Sequence, residues 1–413
     1  MSFINIILGF VYTLNAYGAI TPPMAEYITR GIKMAEKDSA NLIIIKLDTP
    51  GGLDASMRDI VKTELDSKVP ICVYVYPNGA RAASAGAFIF LAAHITSMTP
   101  ASSVGAAHPV VMQGKLDSIM NKKLVNYASS YIKSIARTRH RNEHIAAQMV
   151  EKSLSLSSEE AIKMHIADYI APSLDSLLSL INNKKIEVNG KEVKLVVKND
   201  RIKPIRMTLR EKLLLVLSSP NVAYILMMIG IYGLLFELSH PGAIFPGVIG
   251  AISLILAFYS YRTIPVNYAG ILLIILGIFF FILDIKIPSH GLLSLSGLVS
   301  IGTGSFLMFK GNAPFFTVSL WSIGIVLLFT SIFFLWIVAK AVETIRKRPV
   351  SGKEGLIGLC GIAKEDINTK KGMVQVHGEL WQARSKEPIQ KGDKIEVIGI
   401  EGFVLFVKKL EES

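Results

Sequence analysis

In Arg81-Ala82-Ala83-Ser84-Ala85-Gly86-Ala87 a hydroxyl sits among side chains too small to shield it. The apolar run Val69–Val75 ends just before it, and a helix is expected to start near Ser84. A helix N-terminus offers unpaired N–H groups to a developing oxyanion, so the pattern reads as a serine nucleophile for acyl transfer. Pro50-Gly51-Gly52 forms a sharp turn after a second apolar run, Asn41–Leu47. The Gly51/Gly52 turn could supply an oxyanion donor or a ledge for an extended peptide.

A serine hydroxyl is a weak nucleophile without a base. Three residues compete for that role. Lys123 and Lys133 lie in Asn121–Ile135, which reads as a helix. At steps of four, Lys123 aligns with Tyr127, Tyr131 and Ile135, the apolar stripe, whereas Lys133 aligns with Ser129 and Ser130 on the polar one. A lysine on the apolar stripe is expected to be buried, which lowers its pKa towards neutrality. His108, in Ser103–Pro109, is the third candidate, because imidazole titrates in the useful range without help.

The elements that must hold these residues alternate in type. Strands are expected at Val11–Ala16, Asn41–Leu47, Val69–Val75 and Ile95–Met98, and helices at Pro22–Glu36, Ala55–Asp66 and from Ser84. Such alternation predicts a parallel sheet with helical crossovers. Asn189-Gly190 predicts a hairpin of Lys185–Val188 with Lys191–Lys198.

The whole chain of 413 residues is 51% hydrophobic with a mean hydropathy of +0.45, too apolar for an ordinary soluble enzyme. The excess lies in five apolar segments, Asn221–Leu238, Ala243–Tyr261, Tyr268–Ile287, Leu292–Phe309 and Val318–Ala341, separated by Pro- and Gly-containing breaks. Three regions follow: 1–210 an α/β domain, 211–345 a membrane domain of about five helices, and 350–413 a small β domain. In the last, five short strands punctuated by Gly372, Gly378, Gly392 and Gly402 predict a closed barrel of the OB kind.

An odd number of spans puts the two outer regions on opposite faces. Arg346-Lys347-Arg348 then places the barrel in the cytoplasm and the α/β domain outside it. No basic residue precedes the apolar run Phe3–Tyr12, so it is not read as a secretory signal. The net charge of +12 is scattered, apart from that cluster, so contact with anionic lipid is expected rather than nucleic acid. Cys72 and Cys360 lie in different regions, and no Cys or His spacing suits a metal, so neither a disulfide framework, a metal nor a cofactor is expected.

Leu47–Gly52, Tyr74–Pro77, Ala82–Ala87, Ser103–Pro109, Lys123–Asn126, Tyr131–Ser134 and Arg141-Asn142 occur in an order that closely resembles the long form of the NfeD family, the stomatin operon partner proteins. Gly378–Ala383 with Lys391-Gly392-Asp393 resembles that family's C-terminal domain. The resemblance implies an α/β protease domain of the crotonase/ClpP-like and signal-peptide-peptidase class, a multi-span membrane region and an OB-fold. It implies Ser84 as nucleophile, Lys123 as general base of a Ser–Lys dyad and the backbone N–H groups of Gly51, Gly52 and Ala85 as oxyanion donors, while the triad histidine of the ClpP class leaves His108 open as the base; Lys133 stays an alternative base on the helix reading alone. It also implies cleavage of apolar segments in a stomatin- or flotillin-like membrane partner, and a homo-oligomer. The rival expectation is a non-catalytic membrane scaffold that binds such a partner through its OB-fold.

Overall fold

The computed structural model describes residues 9–110, 117–197, 200–239, 242, 244–262, 264, 266–287, 289, 291–309, 317–346, 353–369 and 371–410. Of the apolar run Phe3–Tyr12, the part before residue 9 lies outside them, as do Lys347 and Arg348.

Six parallel strands form the main sheet, in the order β11 (Arg201–Pro204), β1 (Phe10–Tyr17), β2 (Leu42–Asp48), β3 (Ile71–Val75), β5 (Ile95–Met98) and β8 (Tyr169–Ile170). The central strands are buried on both faces, which is why they read as continuous Ile/Val/Leu runs rather than alternating ones. Helices α1 (Pro22–Lys37), α2 (Asp54–Leu65) and α3 (Ala85–Ala92) supply the crossovers. Their apolar sides share one core with Ile43, Ile45, Val73 and Val75. The opposite sheet face packs on α7 (Leu174–Ile181).

A second, three-stranded sheet joins β4 (Arg81–Ala83), β6 (Ser103–Gly105) and β7 (Ser155–Ser157). Strands of three residues leave too little pattern for sequence reading, and this sheet was not anticipated. It carries the segment leading into Ser84. The hairpin is β9 (Lys185–Val188) with β10 (Lys191–Lys194), shorter than expected.

Beyond α4 (Ser118–Thr138), α5 (Glu143–Glu151) and α6 (Ser158–Lys163), a short helix α8 (Leu209–Leu217) leads into apolar helices α9 (Pro220–Ser239), α10 (Ile244–Tyr261), α11 (Tyr268–Lys286), α12 (Leu292–Met308) and α13 (Leu320–Arg346). Among the described residues, Pro220–Leu238 and Ile244–Tyr261 are long and apolar enough to cross a membrane, and the other three contribute shorter apolar stretches.

These helices contain a tandem repeat. Gly230, Glu237, Pro241, Gly250 and Ser253 recur at one constant offset as Gly277, Asp284, Pro288, Gly297 and Ser300. The repeat is a helical hairpin, α9–α10 and then α11–α12, closed on glycine in both copies. A Cβ at Gly250 would lie 2.9 Å from the Gly230 carbonyl oxygen, and one at Gly297 would lie 2.8 Å from that of Gly277. Such close backbone approach is how helices pack where lipid removes the hydrophobic drive to associate. The acid ending the first helix reaches the same place in both. Asp284 accepts from the hydroxyls of Ser289 and Ser294, and Glu237 fills the space a side chain at Gly247, the counterpart of Ser294, would need.

The C-terminal region, taken by itself, is a closed barrel of β12 (Cys360–Ala363), β13 (Gly372–Val376), β14 (Glu379–Arg384), β16 (Val404–Lys409) and β15 (Lys394–Glu401). Its closing pair β14–β16 is parallel and the other pairs are antiparallel, which is OB topology. Val374, Val376, Ala383, Ile395, Val397 and Leu405 fill it. An α/β domain, an apolar helical region and a five-stranded barrel are therefore all present, as the sequence led us to expect.

Replacing Gly250 by Leu would force the α9–α10 hairpin apart. We expect a loss of about 1–3 kcal/mol, read as a lower midpoint in denaturant titration of the detergent-solubilised protein, with Ala less damaging than Leu.

Candidate active site

Ser84 stands at the corner between β4 and α3, the last residue before the helix, with φ 52° and ψ −114°. A non-glycine residue in that region is strained by roughly 1–3 kcal/mol and persists only where its surroundings hold it. Here the hold comes from both sheets. Ser84 N donates to Gly105 O (3.0 Å), Ala83 N to Thr49 O (3.1 Å), and Thr49 N to Arg81 O (2.7 Å). Gly86 allows α3 to close on this corner, since a Cβ there would come 2.5 Å from Cγ2 of Thr49.

The corner opens onto a cleft lined by Gly52, Leu53, Asp54, Met57, Ser84, Ala85, Phe88, Ala107, Pro109, Val110 and Ala128. Apart from Ser84 and Asp54 its side chains are apolar, and Asp54 is paired with Arg58 (2.7 Å). Gly52 runs beside Ile20 so closely that a Cβ would lie 2.2 Å from the Ile20 carbonyl oxygen. The N–H groups of Gly52 and Ala85 have no acceptor among the described residues. Gly51 differs: its N–H donates to Oγ1 of Thr49 (3.1 Å) and its carbonyl accepts from Ile20 N (2.8 Å). The Gly51 N–H is thus paired in this conformation, whereas those of Gly52 and Ala85 are not paired among the described residues.

The three candidate bases are placed differently. Lys123 is exposed, contrary to the burial expected from its stripe, and does not line the cleft. The stripe is real, but its two halves meet different surroundings. Tyr131 stacks on Phe88, and Ile132, Ile135 and Ala136 are buried in the core. The first half of α4 extends beyond that core, leaving Ile119, Met120, Leu124 and Tyr127 exposed with Lys123 among them. Arg58 fixes the junction, lying over the rings of Tyr127 (4.7 Å) and Tyr131 (4.2 Å). Lys133 is half-buried, away from the cleft. With Arg137, which acts more strongly, it holds the Glu143 carboxyl below its ordinary range. His108 turns Nδ1 to the Val150 carbonyl oxygen (2.9 Å), so that nitrogen carries the proton, and its ring does not line the cleft. Cys72 is buried, and burial pushes its thiol pKa up, as an inert core thiol requires.

Sequence reading missed what holds the far end of α3. All eight residues of this helix are buried, so its last carbonyls have no water. Arg139 Nε donates to Ala92 O (2.7 Å), and Arg141 Nη1 donates to Leu91 O (3.3 Å) and Ala93 O (3.1 Å). The other arm of Arg141 reaches Asp168 (3.0 Å) and Thr96 Oγ1 (3.2 Å). Two guanidinium groups thus cap the helix whose N-terminus faces the cleft. The sequence offered Arg141-Asn142 only as part of a motif, without a partner. His94 lies beside them, accepting from Ile71 N (3.3 Å), and burial followed by the charges of Arg139 and Arg141 brings its pKa down to about 3.

The family model described as the NfeD1b N-terminal domain matches residues 10–191, the NfeD integral membrane domain matches 221–340, and the NfeD-like C-terminal, partner-binding domain matches 353–409. A membrane-bound protease of Pyrococcus horikoshii is 37% identical over 97% of this chain and 93% of its own. The chain belongs to the NfeD family. Another relative, the membrane protein NfeD1b of Bacillus subtilis, is 26% identical over 97% of this chain and 93% of its own. Among solved structures, the 1510-N membrane protease specific for a stomatin homologue from Pyrococcus horikoshii is 36% identical, spanning 51% of this chain and 99% of that one, with a TM-score of 0.45. As an NfeD chain with an integral membrane domain, this is a membrane protein.

Two outcomes follow from the α3 support. Arg141→Met strands the Leu91 and Ala93 carbonyls and leaves Asp168 without its ion-pair partner, held by Thr96 alone. About 2–3 kcal/mol should be lost, discounted because Asp168 is partly exposed, as a fall in thermal midpoint. His94 binds its proton less readily folded than unfolded, so its contribution is complete above about pH 6.5 and is lost as pH falls towards 3. In His94→Gln, which keeps an acceptor for Ile71, the drop in thermal midpoint from pH 7 to pH 5 should be shallower than in the parent.

Proposed function

We propose that this protein is a membrane-bound serine endopeptidase acting through Ser84 and Lys123. The observation that carries the reading is the strained Ser84 corner, which aims a hydroxyl into an apolar cleft beside the free N–H groups of Gly52 and Ala85. Strain of this kind costs stability and is kept where it positions a reacting atom. An extended peptide lies along the Gly52 edge, with an apolar side chain against Leu53, Met57 and Phe88. Neutral Lys123 takes the Ser84 proton as Oγ attacks the scissile carbonyl, and the oxyanion is held by Gly52 and Ala85 N–H with the α3 N-terminus behind them. The resulting ammonium gives its proton to the leaving amine. Lys123 then takes a proton from water as its oxygen attacks the acyl-enzyme, and returns that proton to Ser84 Oγ as the ester bond breaks and the acid product leaves.

Lys123 is exposed and off the cleft in the single chain, so this chemistry requires it to be covered and brought against Ser84. The apolar side chains around it, Ile119, Met120, Leu124 and Tyr127, make that half of α4 a surface for substrate or a second copy of the chain. A homo-oligomer is part of the proposal for that reason. The division into regions 1–210, 211–345 and 350–413, the five-span topology with the α/β domain outside and the barrel in the cytoplasm, and a stomatin- or flotillin-like substrate bound through the barrel complete it. The Pyrococcus horikoshii relatives, named as a membrane-bound protease and as specific for a stomatin homologue, support the activity and that partner. One observation favours the scaffold instead: Lys123 lies off the cleft in the single chain.

The test is cleavage of an apolar peptide library and fluorophosphonate labelling by the full-length protein in detergent. Ser84→Ala and Lys123→Ala should each lose about 10³-fold or more in cleavage, while His108→Ala and Lys133→Ala keep theirs. Loss in His108→Ala with Lys123→Ala still active would move the base. No labelling or cleavage by the folded, assembled parent would leave the scaffold.

A further inference from the structure

Helix α8 presents its faces the wrong way round for the surface of a soluble domain. Its acid, Glu211, is buried. Arg30 of α1 grips it through Nε (2.6 Å) and Nη2 (2.9 Å), while Thr208 N donates to it (2.7 Å) and Arg210 of α8 bonds Glu26 of α1 (2.7 Å). The opposite side is apolar and bare: Leu209, Leu213 and Val216 are 86%, 57% and 53% exposed. At helical spacing these three form one narrow stripe, turned away from Glu211.

What covers that stripe follows from the chain. Only Ser218 and Ser219 separate Leu217 from Pro220, where the first apolar helix begins. The far end of α8 is therefore within a few ångströms of the hydrocarbon boundary that α9 enters, and α8 packs against both α9 and α10. Lys212, exposed, borders the stripe by helical spacing, and exposed Arg206 lies three residues before Leu209, so positive charge beside the stripe complements anionic headgroups. An apolar stripe bordered by basic residues is the pattern of a helix lying in a membrane interface.

We infer that α8 lies in the headgroup–acyl boundary, with Leu209, Leu213 and Val216 immersed and Arg206 and Lys212 among the phosphates. The Glu211–Arg30 pair joins this interfacial helix to α1, so the bilayer itself fixes the attitude of the α/β domain and hence the direction its cleft faces. This holds whatever reaction the cleft performs.

The test uses the full-length protein in nanodiscs of phosphatidylcholine and phosphatidylglycerol at about 7:3. In a Cys360→Ser background, nitroxide labels are placed singly through Leu209→Cys, Leu213→Cys and Val216→Cys, with Glu192→Cys on the β9–β10 hairpin as the aqueous control. Power saturation compares oxygen with a water-soluble nickel chelate. The three α8 labels should favour oxygen, at depths of about 5–10 Å, and the control should favour nickel. Nickel accessibility at all three stripe positions would overturn the inference. So would exclusion of both reagents with dipolar broadening between copies, which would assign the stripe to a second chain.

Discussion

A helix buried along its whole length must dispose of both its ends, and the α/β domain is arranged around that requirement for α3. Its first N–H, that of Ala85, has no acceptor among the described residues and lies at the cleft, where a negative oxygen is its natural partner. Its C-terminal carbonyls are closed by Arg139 and Arg141, which also tie in β5 through Thr96 and the approach to β8 through Asp168. The segment entering the helix is pinned by the small second sheet and by Thr49 at the end of β2. Ser84 occupies the one residue where these demands meet, and its positive φ is the geometric result. The serine is thus positioned by interactions reaching from β2 to α5, none of which needs a side chain of its own at the cleft.

The membrane region solves a different packing problem with different residues. In α3 the buried C-terminal carbonyls are met by charged guanidinium groups. In the helical hairpins, side chains are removed so that backbones touch, at Gly230 with Gly250 and again at Gly277 with Gly297. The carboxylates Glu237 and Asp284 sit where each hairpin turns back. Each meets the opening of the following helix, where the partial positive charge of its N-terminus favours an anion.

Much of this was legible in the sequence because the strongest signals are long and periodic. Strand β3 is an unbroken apolar run and β2 is broken only by Lys46 and its terminal Asp48, the five apolar helices stand out by composition, and glycines mark the barrel turns. The Ser84 segment was legible because small residues at a strand-to-helix change have few other uses. Three things were not. Strands β4, β6 and β7 are too short to carry a period. The capping arginines act on carbonyls some 50 positions away in the chain, a distance over which sequence pattern is silent. Lys123 was read from a stripe that continues along α4 after the core beneath it has ended, because periodicity reports which face a residue shares and not whether anything lies against that face.

The repeated hairpin also bears on how such a chain can change its length. A hairpin returns the chain to the face it came from, so duplicating one leaves both ends where they were. In the five-span topology proposed above, α13 alone carries the chain across. The number of hairpins is then free to drift while the compartment of the barrel stays fixed. In that topology the sidedness of the molecule is stored in one unpaired helix rather than spread over the membrane region.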